Sequence, residues 1–263
     1  MPQRYGRAIR VTLITLGATF LVSGLQLSFI HLPPPIALAW QIVLTVVVGT
    51  LWIRWQRVEW HRALPRRASA WRAVALAVVI CLSVAAAYHT AVEPTIAPNL
   101  RLVGDTIGKR AALVLTALLT GPLLEEALFR GYMLGRLRRD FSATTSVLLA
   151  ATLFAAAHGD PSRILPQLVA GLVFGILVVH TGRLWLAAVA HGLGNASALV
   201  EHFIFTTGIP SRLGVGFPLL CLVVAVAAAV ELHRVLTKTR WSVPLAPTVR
   251  VAPPLTWGIN VMS

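Results

Sequence analysis

Apolar runs close to the roughly 20 residues needed to cross a bilayer recur at about 11 to 30, 36 to 53, 73 to 92, 111 to 134, 142 to 158, 164 to 180, 184 to 203 and 217 to 233. This spacing predicts an all-α, polytopic membrane protein of about eight transmembrane helices, with its chemistry inside the helix bundle. "HLPPP" (His31 to Pro35) reads as a stiff turn between the first two spans, and "PLAP" and "APPL" make the tail a flexible extension. No internal repeat is visible. The expected organisation is N-terminal helices over 1–110, a core over 111–203, a last helix over 204–240 and a Pro-rich tail over 241–263.

Composition agrees with the pattern. The 263 residues are 57% hydrophobic and 12% charged, with mean hydropathy +0.76, which excludes a soluble globule. A formal charge of +14 would suit a nucleic-acid binder, but its distribution does not. With the N-terminus inside, inner segments hold 17 Lys and Arg, outer segments five, and one, Arg130, falls within a span. That is the positive-inside asymmetry, so both termini are expected in the cytoplasm, with the bilayer and no nucleic acid as partner. Short loops and an Ala-, Val- and Arg-rich composition point to a bacterial plasma membrane. Cys81 and Cys221 both fall in spans and read as packing residues.

Ionisable side chains within spans are costly, about 2.5 to 3.5 kcal/mol each at helix centre, and face a bundle interior or a wet cavity. Away from span ends they are Glu125, Glu126, Arg130, His158 and His191. Spans 1 to 3 contribute no acid, and their Thr15, Ser23, Gln26 and Gln41 read as helix-contact groups. Successive helical residues are turned by about 100°, so Glu125 and Glu126 take different faces. Glu126 and Arg130 stand at i, i+4, in the order that favours an ion pair. Glu125 has no such local partner, which suits a general base. "FAAAH" sets Phe154 and His158 on one face of the fifth span, and "HGLGN" sets His191 and Asn195 on one face of the seventh. The small residues around both histidines would admit a backbone or a substrate.

At "EEALFR", "FAAAH" and "HGLGN" the chain resembles the CPBP family of intramembrane proteases, which includes type II CAAX prenyl endopeptidases and bacteriocin-processing or immunity homologues. The resemblance covers roughly 111 to 203. It implies an integral-membrane endopeptidase acting on a membrane-associated peptide or protein, prenylated CAAX-like or bacteriocin-like. By that resemblance Glu125 and His158 activate water, His191 and Asn195 stabilise the oxyanion, and Glu126, Arg130 and Phe154 support the structure. No metal is favoured. The ligand set nonetheless permits zinc on Glu125, His158 and His191, although no HExxH motif is present.

Two other classes compete: a non-enzymatic scaffold or immunity protein, and a proton-coupled transporter, which would show broken helices or inverted repeats. Residue counting also raises a difficulty of depth. At 1.5 Å per residue, Glu125 lies about 16 Å from inner Arg136 and His158 about 27 Å from Asp140, so His158 is expected too near the outer side. A separation above about 10 Å between Glu125 and His158 would exclude a shared site.

Overall fold

The computed structural model describes residues 2–57, 67–91, 106–206 and 216–238. The tail 241–263 and the segment 58–66 lie outside the described residues. Among them are eight helices: α1 (Pro2–Leu27), α2 (Pro34–Arg57), α3 (Arg67–Ala91), α4 (Ile107–Leu137), α5 (Ala143–Ala157), α6 (Ile164–Thr181), α7 (Leu184–Thr206) and α8 (Gly216–Lys238). The protein is an all-helical integral membrane protein, and six of the described helices are long and apolar enough to cross a bilayer. α5 departs from the expected pattern: its 15 residues are fewer than the roughly 20 a full crossing needs. Ser142 caps its start, its Oγ accepting from Thr145 N–H at 3.1 Å.

Small residues set the closest crossings. A Cβ at Gly171 on α6 would stand 2.9 Å from Ala151 Cα on α5, and one at Gly175 would stand 3.0 Å from a Val147 methyl. α5 and α6 thus run antiparallel at near backbone contact, as membrane helices do where van der Waals packing replaces the hydrophobic drive. α3 and α8 form a second close pair, and α3 also packs on α6 and α7. Phe129, Phe154, Phe174, Met133 and Leu177 fill the centre, whereas Leu13, Phe20, Val46, Leu220 and Val226 on α1, α2 and α8 are exposed, as a lipid-facing surface requires.

Contacts gather the basic segments at one end. Arg7 pairs with Asp140 at 3.0 Å and Tyr5 meets Phe141, tying α1 to the α4–α5 turn. Trp71 meets Trp185 edge to face, and Arg72 pairs with Glu231 at 2.6 Å, tying the starts of α3 and α7 to the last turns of α8. At the opposite end α2 touches α4, where a Cβ at Gly108 would stand 2.7 Å from Pro34 O. Gln41 reads as expected, a helix-contact residue whose Nε2 donates to Thr120 Oγ1 at 2.9 Å.

Substituting Gly171→Val would drive a branched side chain into the α5 backbone. Overpacking of this kind typically costs about 1 to 3 kcal/mol, so the purified variant should lose thermal stability in detergent. An unchanged unfolding midpoint would show that the two helices can part without loss.

Candidate active site

The site is built on an irregular helix. In α4 the stretches Thr116–Thr120 and Ala127–Leu134 are wound as π-helix on either side of the α-helical Gly121–Glu126. Pro122 supplies the reason for the first. Gly121 N–H bonds back to Thr116 O, five residues earlier, and the next residue is a proline with no N–H to offer Ala117 O. α7 compensates from across the interface: Asn195 Nδ2 donates to Ala117 O at 2.8 Å. On the same face, Gly192 leaves room for Leu118 O, which would stand 2.6 Å from a Cβ there. Without Asn195 that carbonyl would be left unpaired, at a cost of about 1 to 3 kcal/mol.

Glu126 is fully buried, and Arg130 is 2% exposed. Arg130 Nη1 donates to Glu126 Oε1 at 2.9 Å and Nη2 to Gly171 O on α6 at 3.2 Å. The guanidinium lies over the Phe154 ring, 4.3 Å from its centroid, and near Phe174 at 5.5 Å. The same carboxylate oxygen of Glu126 stands 3.0 Å from His191 Nδ1. The sequence reading gave Glu126 to Arg130 and missed this second partner. It also missed Phe174, which stacks on the His191 ring at 5.3 Å, and Gly171. Phe154 wedges edge-on against His158 and His191, with centroids 4.7 and 5.8 Å away.

Glu125 turns to the other side of α4 and meets both imidazoles. Its Oε2 lies 3.9 Å from His158 Nε2 and 3.8 Å from His191 Nε2. The depth mismatch expected from residue counting therefore does not arise. His158 caps the C-terminus of α5 and its ring folds back one turn, Nδ1 lying 2.8 Å from Phe154 O. Helical side chains lean toward their own N-terminus. α4 and α5 run in opposite directions, so Glu125 and His158 lean toward each other in depth. Both side chains are about a quarter exposed, at 25% and 27%, while His191 is nearly enclosed at 8%.

Hydrogen bonding fixes the chemistry these groups offer. A carboxylate and a backbone carbonyl only accept, so each imidazole Nδ1 is the donor to Glu126 or to Phe154 O. When neutral, both rings then present a bare Nε2 lone pair toward Glu125 Oε2, itself buried without a hydrogen-bond partner among the described residues. Gaps of 3.8 and 3.9 Å are too long for direct hydrogen bonds. Two imidazole nitrogens thus approach one carboxylate oxygen, three acceptors that a proton donor, such as water, or a cation would satisfy. Asn195 shares the α7 face with His191, but its recorded partner is Ala117 O, and one amide N–H beyond that bond remains to it.

A carboxylate and two imidazoles suit zinc in kind, with the Nδ1 atoms donating to outer partners as zinc-bound histidines do. Tetrahedral bonds of about 2.1 Å place donors about 3.4 Å apart, somewhat closer than the gaps here. Among the described residues no three His, Cys, Asp or Glu side chains form a ready metal cage. Binding zinc would require the three groups to contract.

Residues 107–197 match the family model described as "Type II CAAX prenyl endopeptidase Rce1-like". The segment is similar to that membrane peptidase family. All the residues around Glu125, including Asn195, lie within this Rce1-like segment. Over 102 residues the chain is 26% identical to "Putative membrane peptidase YdiL" of Bacillus subtilis (strain 168), covering 39% of this chain and 42% of that protein. The chain thus spans about two fifths of the length of this curated relative. No solved structure matches.

Breaking the buried pair should be severe. Arg130→Met leaves the buried Glu126 carboxylate with the His191 ring but without its cationic partner, a loss of about 3 to 5 kcal/mol, seen as failure to recover monodisperse protein. The double variant Glu126→Leu/Arg130→Met removes both charges and should regain most of that stability. A double variant no better than the single one would contradict the ion-pair account.

Proposed function

We propose that the protein is an integral-membrane endopeptidase that hydrolyses a peptide bond in a membrane-associated polypeptide substrate. The observation that carries this reading is the approach of two imidazole Nε2 atoms to one oxygen of Glu125, at 3.8 and 3.9 Å, inside an Rce1-like segment. Glu125 and His158 are the more exposed groups, and in this reading they hold and deprotonate the water that attacks the scissile carbonyl. His191, protonated on both nitrogens, and Asn195, through its second amide N–H, then donate to the oxyanion. Glu126 acts through His191: its carboxylate accepts from Nδ1 and orients the ring, while Arg130 holds that carboxylate in place. The family name makes a prenylated C-terminal segment one substrate class; a bacteriocin-like peptide is another. The gathering of basic segments at one end supports placing both termini in the cytoplasm.

The convergence of three acceptors also favours a second reading, a zinc-dependent peptidase at the same site. Glu125, His158 and His191 would hold the ion, which would polarise the carbonyl and lower the pKa of bound water. Glu126 and Phe154 O would orient the two imidazoles.

Glu125→Gln keeps the shape of the side chain and removes the base. It should lower turnover by about 10² to 10⁴-fold while the variant remains folded, and membrane proteomics of cells carrying it should show an uncleaved precursor that the wild type lacks. A folded Glu125→Gln protein with wild-type processing would instead identify a scaffold or immunity protein. Chelation separates the two hydrolytic readings. Metal-stripped protein with full activity is expected for the glutamate mechanism; activity lost on chelation and restored by zinc alone would establish the metal one.

A further inference from the structure

At the basic end of the bundle, α3 and α8 leave between them a cavity of about 490 Å³ lined by Ser69, Arg72, Glu231, Arg234, Val235 and Lys238. It shares no residue with the site around Glu125. Its charge is lopsided, three cations to one carboxylate. Glu231 spreads the two guanidiniums to either side, meeting Arg72 Nη2 at 2.6 Å through Oε1 and Arg234 Nη1 at 3.5 Å through Oε2. One carboxylate engages few of the five N–H donors each guanidinium carries. Lys238 stands one turn beyond Arg234 and adds a third cation. The Arg72 and Arg234 side chains are 63% and 61% exposed, so the cavity opens outward rather than sealing an ion pair.

Its surroundings fix its depth. Trp71, adjacent to Arg72 and half exposed, lies edge-on to Trp185 at 5.8 Å. Tryptophans held in this way mark the headgroup level. Toward the bilayer, Val230 and Val226 continue the Arg234 face of α8 one and two turns on, and both are exposed; Val79 lies two turns along α3 from Arg72 and is exposed as well. A cation-lined cavity at headgroup level therefore passes into an apolar strip between two helices, the arrangement that takes an anionic lipid headgroup and its chains.

We propose that this cavity binds the phosphate of an anionic glycerophospholipid, with an acyl chain lying along the α3–α8 strip. The bound lipid braces α3 against α8. Because α3 also packs on α6 and α7, the brace bears on the helices that carry Gly171 and His191.

The test uses the full chain, purified in neutral detergent and titrated with phosphatidylglycerol or phosphatidylcholine, with bound lipid read by native mass spectrometry and stability by thermal unfolding. Phosphatidylglycerol should be retained and raise the unfolding midpoint, phosphatidylcholine should do neither, and the difference should shrink in high salt. Arg234→Gln/Lys238→Gln, which leaves the Arg72–Glu231 pair intact, should weaken phosphatidylglycerol binding about 30-fold, at about 5-fold per charge removed. Glu231→Gln, which removes the competing carboxylate, should bind the lipid more tightly, whereas a purely structural ion pair would not improve binding. Equal retention of the two lipids, unchanged affinity in the double variant, or equal protection by inorganic phosphate would overturn the proposal. The last of these would mark the cavity as a site for free anions.

Discussion

One oxygen of Glu126 holds the four central helices in register. It accepts from Arg130 on its own helix and from His191 on α7, while the guanidinium it fixes reaches Gly171 O on α6 and lies over Phe154 of α5. Removing two charges from water costs several kcal/mol each, and the attraction between them recovers this only with good geometry and further hydrogen bonds. Here the geometry is met: the pair is i, i+4, a backbone carbonyl takes a second guanidinium N–H, and the aromatic faces meet a cation. A buried ion pair contributes little net stability by itself. What it contributes is specificity, because any rotation of α6 or α7 would leave a charge or a donor stranded. The close crossing of Gly171 over Ala151 belongs to the same constraint, since a side chain there would hold α6 away from the guanidinium.

The winding of α4 follows from a different local conflict. Pro122 lies inside a helix that must carry Glu125 and Glu126, and it removes the N–H that Ala117 O would otherwise meet in the π turn. α7 answers with an amide at Asn195 and open space at Gly192, three residues apart on one face. The motif "HGLGN" therefore does structural duty as well as presenting an imidazole. Irregular turns of this kind concentrate at functional sites, and here they sit on both sides of the acidic pair.

Much of the fold could be read from hydropathy because length and apolarity are local properties. Eight helices were expected, and eight stand among the described residues, most within a few residues of the expected limits. α5 keeps the expected limits within a residue at each end, but its 15 residues are too few to count among the six helices long enough to cross a bilayer. The site was legible wherever chemistry shares a helix face, as in Glu126 with Arg130, Phe154 with His158 and His191 with Asn195. Contacts between helices were not. Nothing in the spacing links Glu126 to His191 across 65 residues, or Phe174 to the His191 ring. Pro122 did carry a signal, a helix breaker three residues before the first glutamate, but spacing alone does not say which carbonyl it orphans or who answers it.

The division of labour between two adjacent glutamates follows from these contacts. A group that fixes helix positions must stay ionised and immobile, so Glu126 is buried between a guanidinium and an imidazole. Glu125, one residue earlier and turned by about 100°, faces the quarter-open side, where the proposed reaction needs a group that reaches water. Neither position can serve both ends. His191 joins them, with Nδ1 held by Glu126 and Nε2 directed at Glu125.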